Sequence, residues 1–156
     1  MEEQHVTSES RLAIARAKFF LRMAILCPAH ARVDFEAFLE ASIVFGRTEM
    51  HRLKAMFGKH PEWAAWWYSL NANPSVNFLR KERDRILKEE STKVGQRIFL
   101  PFSSDDQSYT KVPANPSRAY EFYYFGEDAS VPATTTVHNH LIEIERLRDL
   151  AEKIFQ

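Results

Sequence analysis

The chain is poor in cysteine, glycine and net charge, and each shortage removes a class of function. Cys27 is the only cysteine among 156 residues, so an internal disulfide is excluded and a reducing compartment is expected. Its apolar neighbours favour a buried structural thiol over a nucleophile. Four glycines are too few for a glycine-rich phosphate loop. The 21 basic residues balance 21 acidic ones, so only a local patch, not the overall charge, could attract nucleic acid.

Long apolar runs are also missing. The longest fall well short of the roughly 20 residues that a transmembrane helix needs, and the polar, acidic start MEEQHVTSES is unlike a secretory signal. We therefore expect a cytoplasmic, soluble protein that does not contact membranes. The chain does contain 45% hydrophobic and 13% aromatic residues, enough to build the core of a single domain spanning 1–156.

The first predicted helix carries two apolar stripes. It follows a flexible tail at 1–7, begins at Ser8 or Ser10, and ends near Leu26 because Pro28 cannot continue it. One stripe consists of Leu12, Ala15, Phe19, Met23 and Leu26, and the other of Ile14, Leu21 and Ile25. A helix with two stripes needs two packing partners. We expect one partner to be the core of the domain and the other to be a second subunit.

Three further helices are predicted before the chain turns to strands. One runs from an Asp34 cap to Gly58, and Gly46 within its apolar stripe indicates a close crossing with another helix, since glycine otherwise weakens a helix. A short helix rich in tryptophan follows Pro61. Asn73 is the predicted cap of the next helix, which contains most of the charged residues of this region.

From Gly95 the pattern changes from helical to extended. Two short runs, QRIFLPF and YEFYYFG, predict a β excursion at 95–126 that encloses a mobile polar loop at 103–118. A closing helix opens near Pro132 or Thr134. The sequence thus predicts a mainly α fold, an up-and-down bundle of about four to five helices with a small β-hairpin insertion before the last helix.

The order of these elements resembles that of a known family. Two long helices, a tryptophan-rich short helix, the helix NFLRKERDRILKE, an aromatic strand pair and a closing helix resemble the HEPN superfamily of small helical domains. Active members carry an Arg, a polar residue and, four positions after it, a His on one helix. Two such helices meet in a homodimer and cleave RNA without a metal. Arg83 and Asp84 match the first two positions, and Lys88 stands where the His belongs.

The substitution at Lys88 changes what the resemblance implies. Residues four apart share a helix face, an arginine can hold a phosphate through two hydrogen bonds, and an imidazole can move a proton near pH 7. A lysine is ordinarily protonated there and is not a base, and we expect it to pair with Asp84. The resemblance therefore implies a non-catalytic homodimeric module that binds RNA or a partner protein. The phosphate-binding candidates are Arg47, Arg80, Arg83 and Lys88. The alternative reading of this helix is a solvated, charge-laced surface.

A second pattern keeps an enzymatic alternative open. Arg47 and His51 lie four residues apart on the second helix, and His51 could supply the missing imidazole if both helices faced one cleft. The alternative is a divergent, metal-independent endoribonuclease that acts at a homodimer cleft with Arg83, Asp84, Lys88 and His51 as its catalytic candidates. A packed or surface histidine is the simpler interpretation of His51.

Three remaining patterns are assigned to structure. His138 and His140 point to different sides of a helix, so we expect no metal site there and no cofactor in the protein. The aromatic strand EFYYFG could stack on bases, but packing against a helix is the favoured interpretation. From Arg11 to Arg32 there are five basic residues and no acidic one, which suits either an anionic partner or acidic residues of another helix.

Overall fold

Five helices and one antiparallel strand pair make up the described part of the chain. The computed structural model describes residues 3–28, 31–88, 94–98, 121–126 and 131–156, with the backbone alone at 3–10, 97–98 and 121–122. The elements are α1 (Glu3–Leu26), α2 (Arg32–Phe57), α3 (Trp63–Ser69), α4 (Pro74–Leu87), β1 (Val94–Ile98), β2 (Glu121–Phe125) and α5 (Ala133–Phe155), with a 3-10 turn at Leu70–Ala72. The predicted mainly α bundle with a small β pair before the last helix is confirmed.

The helices α2 and α5 form the centre of the bundle. They contact each other, and each also contacts α1 and α4. The core side chains follow helical spacing on α2 and α5, and the following are fully buried: Leu39, Ile43, Met50, Leu53, Val137, Leu141 and Ile144. Phe45 of α2 stacks on Phe20 of α1, whereas Arg47, two positions further and so on the other side of the helix, lies beside Arg80 and Arg83 of α4. α1 and α4 therefore pack on opposite sides of α2, and their outer surfaces face away from each other.

Gly46 allows three helices to approach closely. A Cβ atom added at this position would lie 2.6 Å from Cδ2 of Leu141 on α5 and 3.4 Å from Cδ1 of Leu79 on α4. Both leucines are completely buried, so the space that a side chain would need is already filled. The predicted close crossing at Gly46 is confirmed.

The starts of two helices differ from the predicted ones. α1 begins at Glu3, inside the segment 1–7 predicted to be a tail, because no proline or glycine interrupts this polar stretch. α2 begins at Arg32 with Ala31 at its N-cap position, whereas Asp34 was the predicted cap. Asp34 lies in the first turn instead, where a carboxylate interacts favourably with the helix dipole.

The start of α4 agrees with the sequence chemistry. The side-chain oxygen of Asn73 accepts hydrogen bonds from the backbone N–H groups of Ser75 at 2.9 Å and Val76 at 3.1 Å. Pro74 occupies the first helical position, where its missing N–H costs nothing. The predicted Asn73 cap is confirmed, and it determines where the charged face of α4 begins.

The strand pair packs its aromatic side chains against the helices. Tyr123 is 5% exposed, and its ring stacks on Phe35 with centroids 4.2 Å apart. Phe125 meets the ring of Phe78 edge-on at 5.6 Å. The favoured interpretation, packing rather than base stacking, is confirmed for these two residues. Two predictions lie outside what is described, the side chain of Phe122 and the loop at 103–118.

α1 buries one face and leaves the opposite face in solvent. Ile14 and Leu21 of the second predicted stripe are buried, but Ile25 of the same stripe is 60% exposed. The first stripe, including Phe19, faces outward. Among the helices of the described ranges, none has the length and apolar character that crossing a bilayer requires.

Candidate functional site

Arg47 is a buried cation on α2. It directly follows Gly46, whose close contacts with Leu79 hold α4 against this part of α2. Arg47 is 9% exposed, and its Nη1 has no hydrogen-bond partner among the described residues. A buried guanidinium normally has its donors paired, since an unpaired charged donor is costly. Arg47 is therefore short of an acceptor.

The charged residues nearest to Arg47 on α4 are mostly positive. Burial lowers the pKa of Arg47, and the positive charges of Arg80 and Arg83 lower it further, while Asp84 opposes them. Asp84 is engaged by Arg83, with Nη1 and Oδ1 3.0 Å apart. We call these four residues the arginine cluster. It holds three guanidinium groups and one carboxylate, so it carries an excess of positive charge.

His51 borders the arginine cluster on the same helix as Arg47. Its pKa is lowered by partial burial and by the positive charges of Arg47 and Arg83, and Asp84 opposes the shift. The imidazole is therefore mainly neutral at pH 7. The sequence hypothesis required His51 and Arg83 to face one cleft. Arg83 contributes to the lowered pKa of His51, but His51 is exposed and is not among the residues that line the groove on α4.

Lys88 lies just beyond the end of α4. The helix ends at Leu87, and the backbone N–H of Lys88 donates to the carbonyl groups of Asp84 at 3.3 Å and Arg85 at 3.1 Å. Its side chain is exposed. The expected pair between Asp84 and Lys88 is not formed, because Lys88 is a cap residue and Asp84 binds Arg83 instead.

An open groove follows the outer face of α4. Its volume is about 330 Å³, and its lining residues are Arg80, Lys81, Asp84, Arg85 and Lys88. Four of these five side chains are basic. Arginine offers a planar pair of donors and lysine a mobile point charge, and both suit the oxygens of a phosphate. The groove adjoins the arginine cluster through Arg80 and Asp84, which belong to both.

A buried carboxyl group lies on another face of α2. Glu49 is completely buried, and neither of its carboxylate oxygens has a hydrogen-bond partner among the described residues. Burial raises the pKa of Glu49 to about 7, against the effect of Arg148 and Arg52, and Glu152 raises it further. Oε1 of Glu152 is likewise buried without a partner in the described chain. At neutral pH Glu49 is thus divided between its protonated and ionised forms.

The sequence reasoning missed Glu49, although its spacing offered a signal. Ser42, Gly46 and Leu53 belong to the core face of α2, and position 49 falls between them at intervals of three and four residues. The burial of Glu49 was not predicted because glutamate was assumed to stay in solvent. The burial of Arg47 was missed because arginine, too, was assumed to stay in solvent.

The two histidines of α5 have different surroundings. His138 is exposed. Nδ1 of His140 lies 2.8 Å from the hydroxyl oxygen of Ser75, and its ring stacks on Phe78 with centroids 4.1 Å apart. This contact joins the start of α4 to α5, and burial lowers the pKa of His140. Within the described ranges, no three His, Cys, Asp or Glu side chains are arranged to hold a metal ion.

The chain was compared with protein-family models, with curated proteins and with solved structures. None of the three comparisons finds a match.

Proposed function

We propose that this chain is a non-catalytic, HEPN-like binding module that holds the phosphate backbone of single-stranded RNA across α2 and α4. The observation that carries the proposal is Arg47, a buried guanidinium with an unpartnered Nη1 beside Arg80 and Arg83. A phosphate oxygen at this place would supply the missing acceptor and neutralise the excess positive charge.

The distribution of charge along α4 favours a polymer over a single small anion. From Pro74 to Lys88 there are five basic and two acidic residues, and one acid, Glu82, is buried and paired with Arg85 at 3.1 Å. The distance along the helix from Arg80 to Lys88 is about 12 Å. Two neighbouring phosphates of an extended strand fit this length, so the arginine cluster and the groove can act together.

The lack of catalysis follows from Lys88 and its place after the helix end. Metal-free cleavage of RNA requires a group that takes a proton from a ribose hydroxyl, and an imidazole suits this role near pH 7 whereas a lysine does not replace it. The amine can still bind a phosphate. The position that carries the imidazole in active HEPN proteins therefore contributes to affinity in this chain.

Binding to a fluorescent single-stranded RNA tests the proposal. Fluorescence anisotropy should give binding that weakens as salt rises, and Arg83→Ala should lose about tenfold in affinity and lower the salt slope by about 0.7, the value for one phosphate contact on a single strand. Arg47→Met should weaken binding in the same direction. Lys153→Ala, which removes an exposed cation of α5, is the matched control.

Two results would contradict the proposal. One is equal affinity of the wild type, Arg83→Ala and Arg47→Met for RNA. The other is a loss of affinity in Lys153→Ala as large as that in Arg83→Ala, which would show that binding depends on overall charge and not on this site.

The second candidate is a metal-independent endoribonuclease, and His51 is the observation that favours it. A neutral imidazole next to Arg47 and Arg83 could act as the base while an arginine holds the phosphate. The RNA of the binding experiment, incubated with the protein in a chelator and analysed on a denaturing gel, separates the two functions. Cleavage that disappears in His51→Asn and in Arg83→Ala would establish the enzyme in place of the binding module.

A homodimer completes the proposal. Two copies would place their α4 surfaces on either side of one RNA-binding cleft. The sequence hypothesis assigned both the first helix and the charged helix to the dimer interface. Since α1 and α4 pack on opposite sides of α2, the proposed interface uses α4 alone.

A further inference from the structure

The outward face of α1 carries a narrow apolar stripe. We call it the α1 outer stripe, and its members are Leu12, Ala15, Phe19, Met23 and Leu26. Leu12 is 41%, Phe19 48% and Leu26 75% exposed. The buried side of the same helix, with Ala17 at 0%, points into the core. The ring of Phe19 meets that of its chain neighbour Phe20 edge-on at 5.2 Å, and the outer side of the stripe is open to solvent.

The spacing of the stripe is that of a coiled-coil seam. Leu12, Ala15, Phe19 and Leu26 fall on the a and d places of two heptads, and Arg22 occupies the d place between Phe19 and Leu26. Such a seam is narrower than the apolar face of a helix that lies on a bilayer. Its length, about 21 Å from Leu12 to Leu26, matches two heptads of a partner helix.

The charges around the stripe all have one sign. Arg11 and Arg22 are exposed next to it and have no ion-pair partner among the described residues, whereas the guanidinium of Arg16 lies over the ring of Phe45 on α2, 5.7 Å from its centroid. Lys18, on the side nearer α5, is already paired with Glu145 at 2.7 Å. No acidic residue occurs from Arg11 to Arg32. The surface presents two guanidinium groups, those of Arg11 and Arg22, that have no ion-pair partner in the described part of the chain.

This charge pattern argues against a second copy of α1 as the occupant. Two α1 helices packed along their seams, parallel or antiparallel, would bring arginines of one copy against arginines of the other, and like charges at these flanking places disfavour pairing. A partner helix with acidic residues beside its apolar stripe would instead bring opposite charges together. Its carboxylates would pair with Arg11 and Arg22.

We propose that the α1 outer stripe docks an amphipathic helix of another protein, whose apolar seam is flanked by glutamate or aspartate. The small Ala15 admits a large partner side chain between Leu12 and Phe19. A two-heptad contact buries less surface than a standard stable interface, so the complex is transient. The docking surface lies on the opposite side of the bundle from the arginine cluster, and it does not depend on RNA binding.

Designed peptides test the docking surface. One peptide of about three heptads carries leucine at its a and d places and glutamate at its flanking places, and its twin carries lysine at those flanking places. By fluorescence anisotropy the acidic peptide should bind the wild-type protein at micromolar concentration, and the basic twin at least about tenfold more weakly. Phe19→Asn should abolish binding of the acidic peptide, and Arg11→Glu with Arg22→Glu should reverse the preference.

Matched controls separate this surface from general stickiness and charge. Tyr68→Asn removes another exposed apolar side chain, 77% exposed on α3, and Lys153→Glu reverses a distant charge. Both should bind the acidic peptide like the wild type. All of these positions are exposed, and circular dichroism should show unchanged helix content.

Four outcomes would overturn the inference. Equal affinity for the two peptides would remove the charge argument, and unchanged binding in Phe19→Asn would remove the stripe. A dimer that sedimentation detects in the wild type and not in Phe19→Asn would assign the stripe to a second copy. Binding to vesicles containing phosphatidylserine that is lost in Phe19→Asn, without binding of the acidic peptide, would assign it to an anionic membrane.

Discussion

Two buried charged residues of α2 have side-chain atoms without a hydrogen-bond partner in the described part of the chain, and the two residues face different neighbours. Arg47 lies against α4 and Glu49 lies against α5, because positions two apart on a helix point to different sides. They therefore cannot neutralise each other. Arg47 needs an acceptor, which a bound phosphate would supply, whereas Glu49 can be neutralised by a proton.

Glu49 makes the stability of the fold depend on pH. The pKa of Glu49 in the folded protein, about 7, lies above its ordinary value of 4.5. Below pH 4.5 Glu49 is neutral in both the folded and the unfolded state, so the free energy of unfolding is not reduced by this group. As the pH rises to about 7, the unfolded state loses the proton first and the free energy of unfolding falls. Glu49→Gln mimics the neutral form. The variant should match the wild type near pH 4.5 and exceed its free energy of unfolding by about 3 kcal/mol at pH 8. Urea unfolding followed by circular dichroism at both pH values measures this.

The control for Glu49 is an exposed glutamate. Glu62→Gln, just before α3, should leave the pH profile of the wild type unchanged. Parallel profiles for the wild type and Glu49→Gln between pH 4.5 and 8 would contradict the prediction, since they would show that Glu49 keeps the same pKa in the folded and unfolded states.

At the scale of elements, Gly46 determines how closely α2, α4 and α5 pack. The missing side chain lets Leu141 and Leu79 approach the backbone of α2. This approach also brings α4 to the side of α2 that carries Arg47, so the arginine cluster depends on it. The glycine that weakens α2 as an isolated helix thus stabilises the bundle.

Gly46→Val tests the close crossing. The added side chain would overlap Leu141, and the resulting overpacking should outweigh the small gain in helix propensity, lowering the free energy of unfolding by about 2 kcal/mol. Ala55→Val, an exposed position of the same helix, controls for the effect of a β-branched residue. If Gly46→Val unfolded at the same urea concentration as Ala55→Val, the crossing would not depend on glycine.

At the scale of the whole molecule, the two candidate binding surfaces lie on opposite sides of the bundle. α1 carries arginines beside an apolar seam, and α4 carries a cationic groove beside buried Arg47. The chain is neutral overall because its 21 acidic residues balance the basic ones. In the functions proposed above, the molecule binds anionic partners through local positive surfaces and not through its net charge.

The proposed homodimer gives a prediction for the assembled molecule. The two α4 surfaces of a dimer are both positive, so RNA between them should strengthen their association. Light scattering at micromolar concentration should show mass near twice 18.2 kDa, and the dimeric fraction should rise when single-stranded RNA is added. A strict monomer with and without RNA would contradict the dimer and leave each chain to bind RNA alone.

Several features of the fold could be predicted because they depend on neighbouring residues. Asn73 followed by Pro74 produces a helix start by local hydrogen bonding. The run of four aromatic residues in EFYYFG produces a strand that packs against helices. Arg47 and Arg83 could be selected as candidate residues from their spacing. The sequence could not predict that they lie close together, since they belong to different helices.

The sequence by itself determined the identity and order of the elements, because apolar spacing, capping residues and prolines act within a few residues of one another. Only the tertiary structure decided which stripe of α1 entered the core, and that Arg47 and Glu49 became buried. Burial depends on segments far apart in the chain, such as Leu79 and Leu141 closing around Gly46. The structure also decided that Asp84 pairs with Arg83 and not with Lys88, whose side chain is exposed.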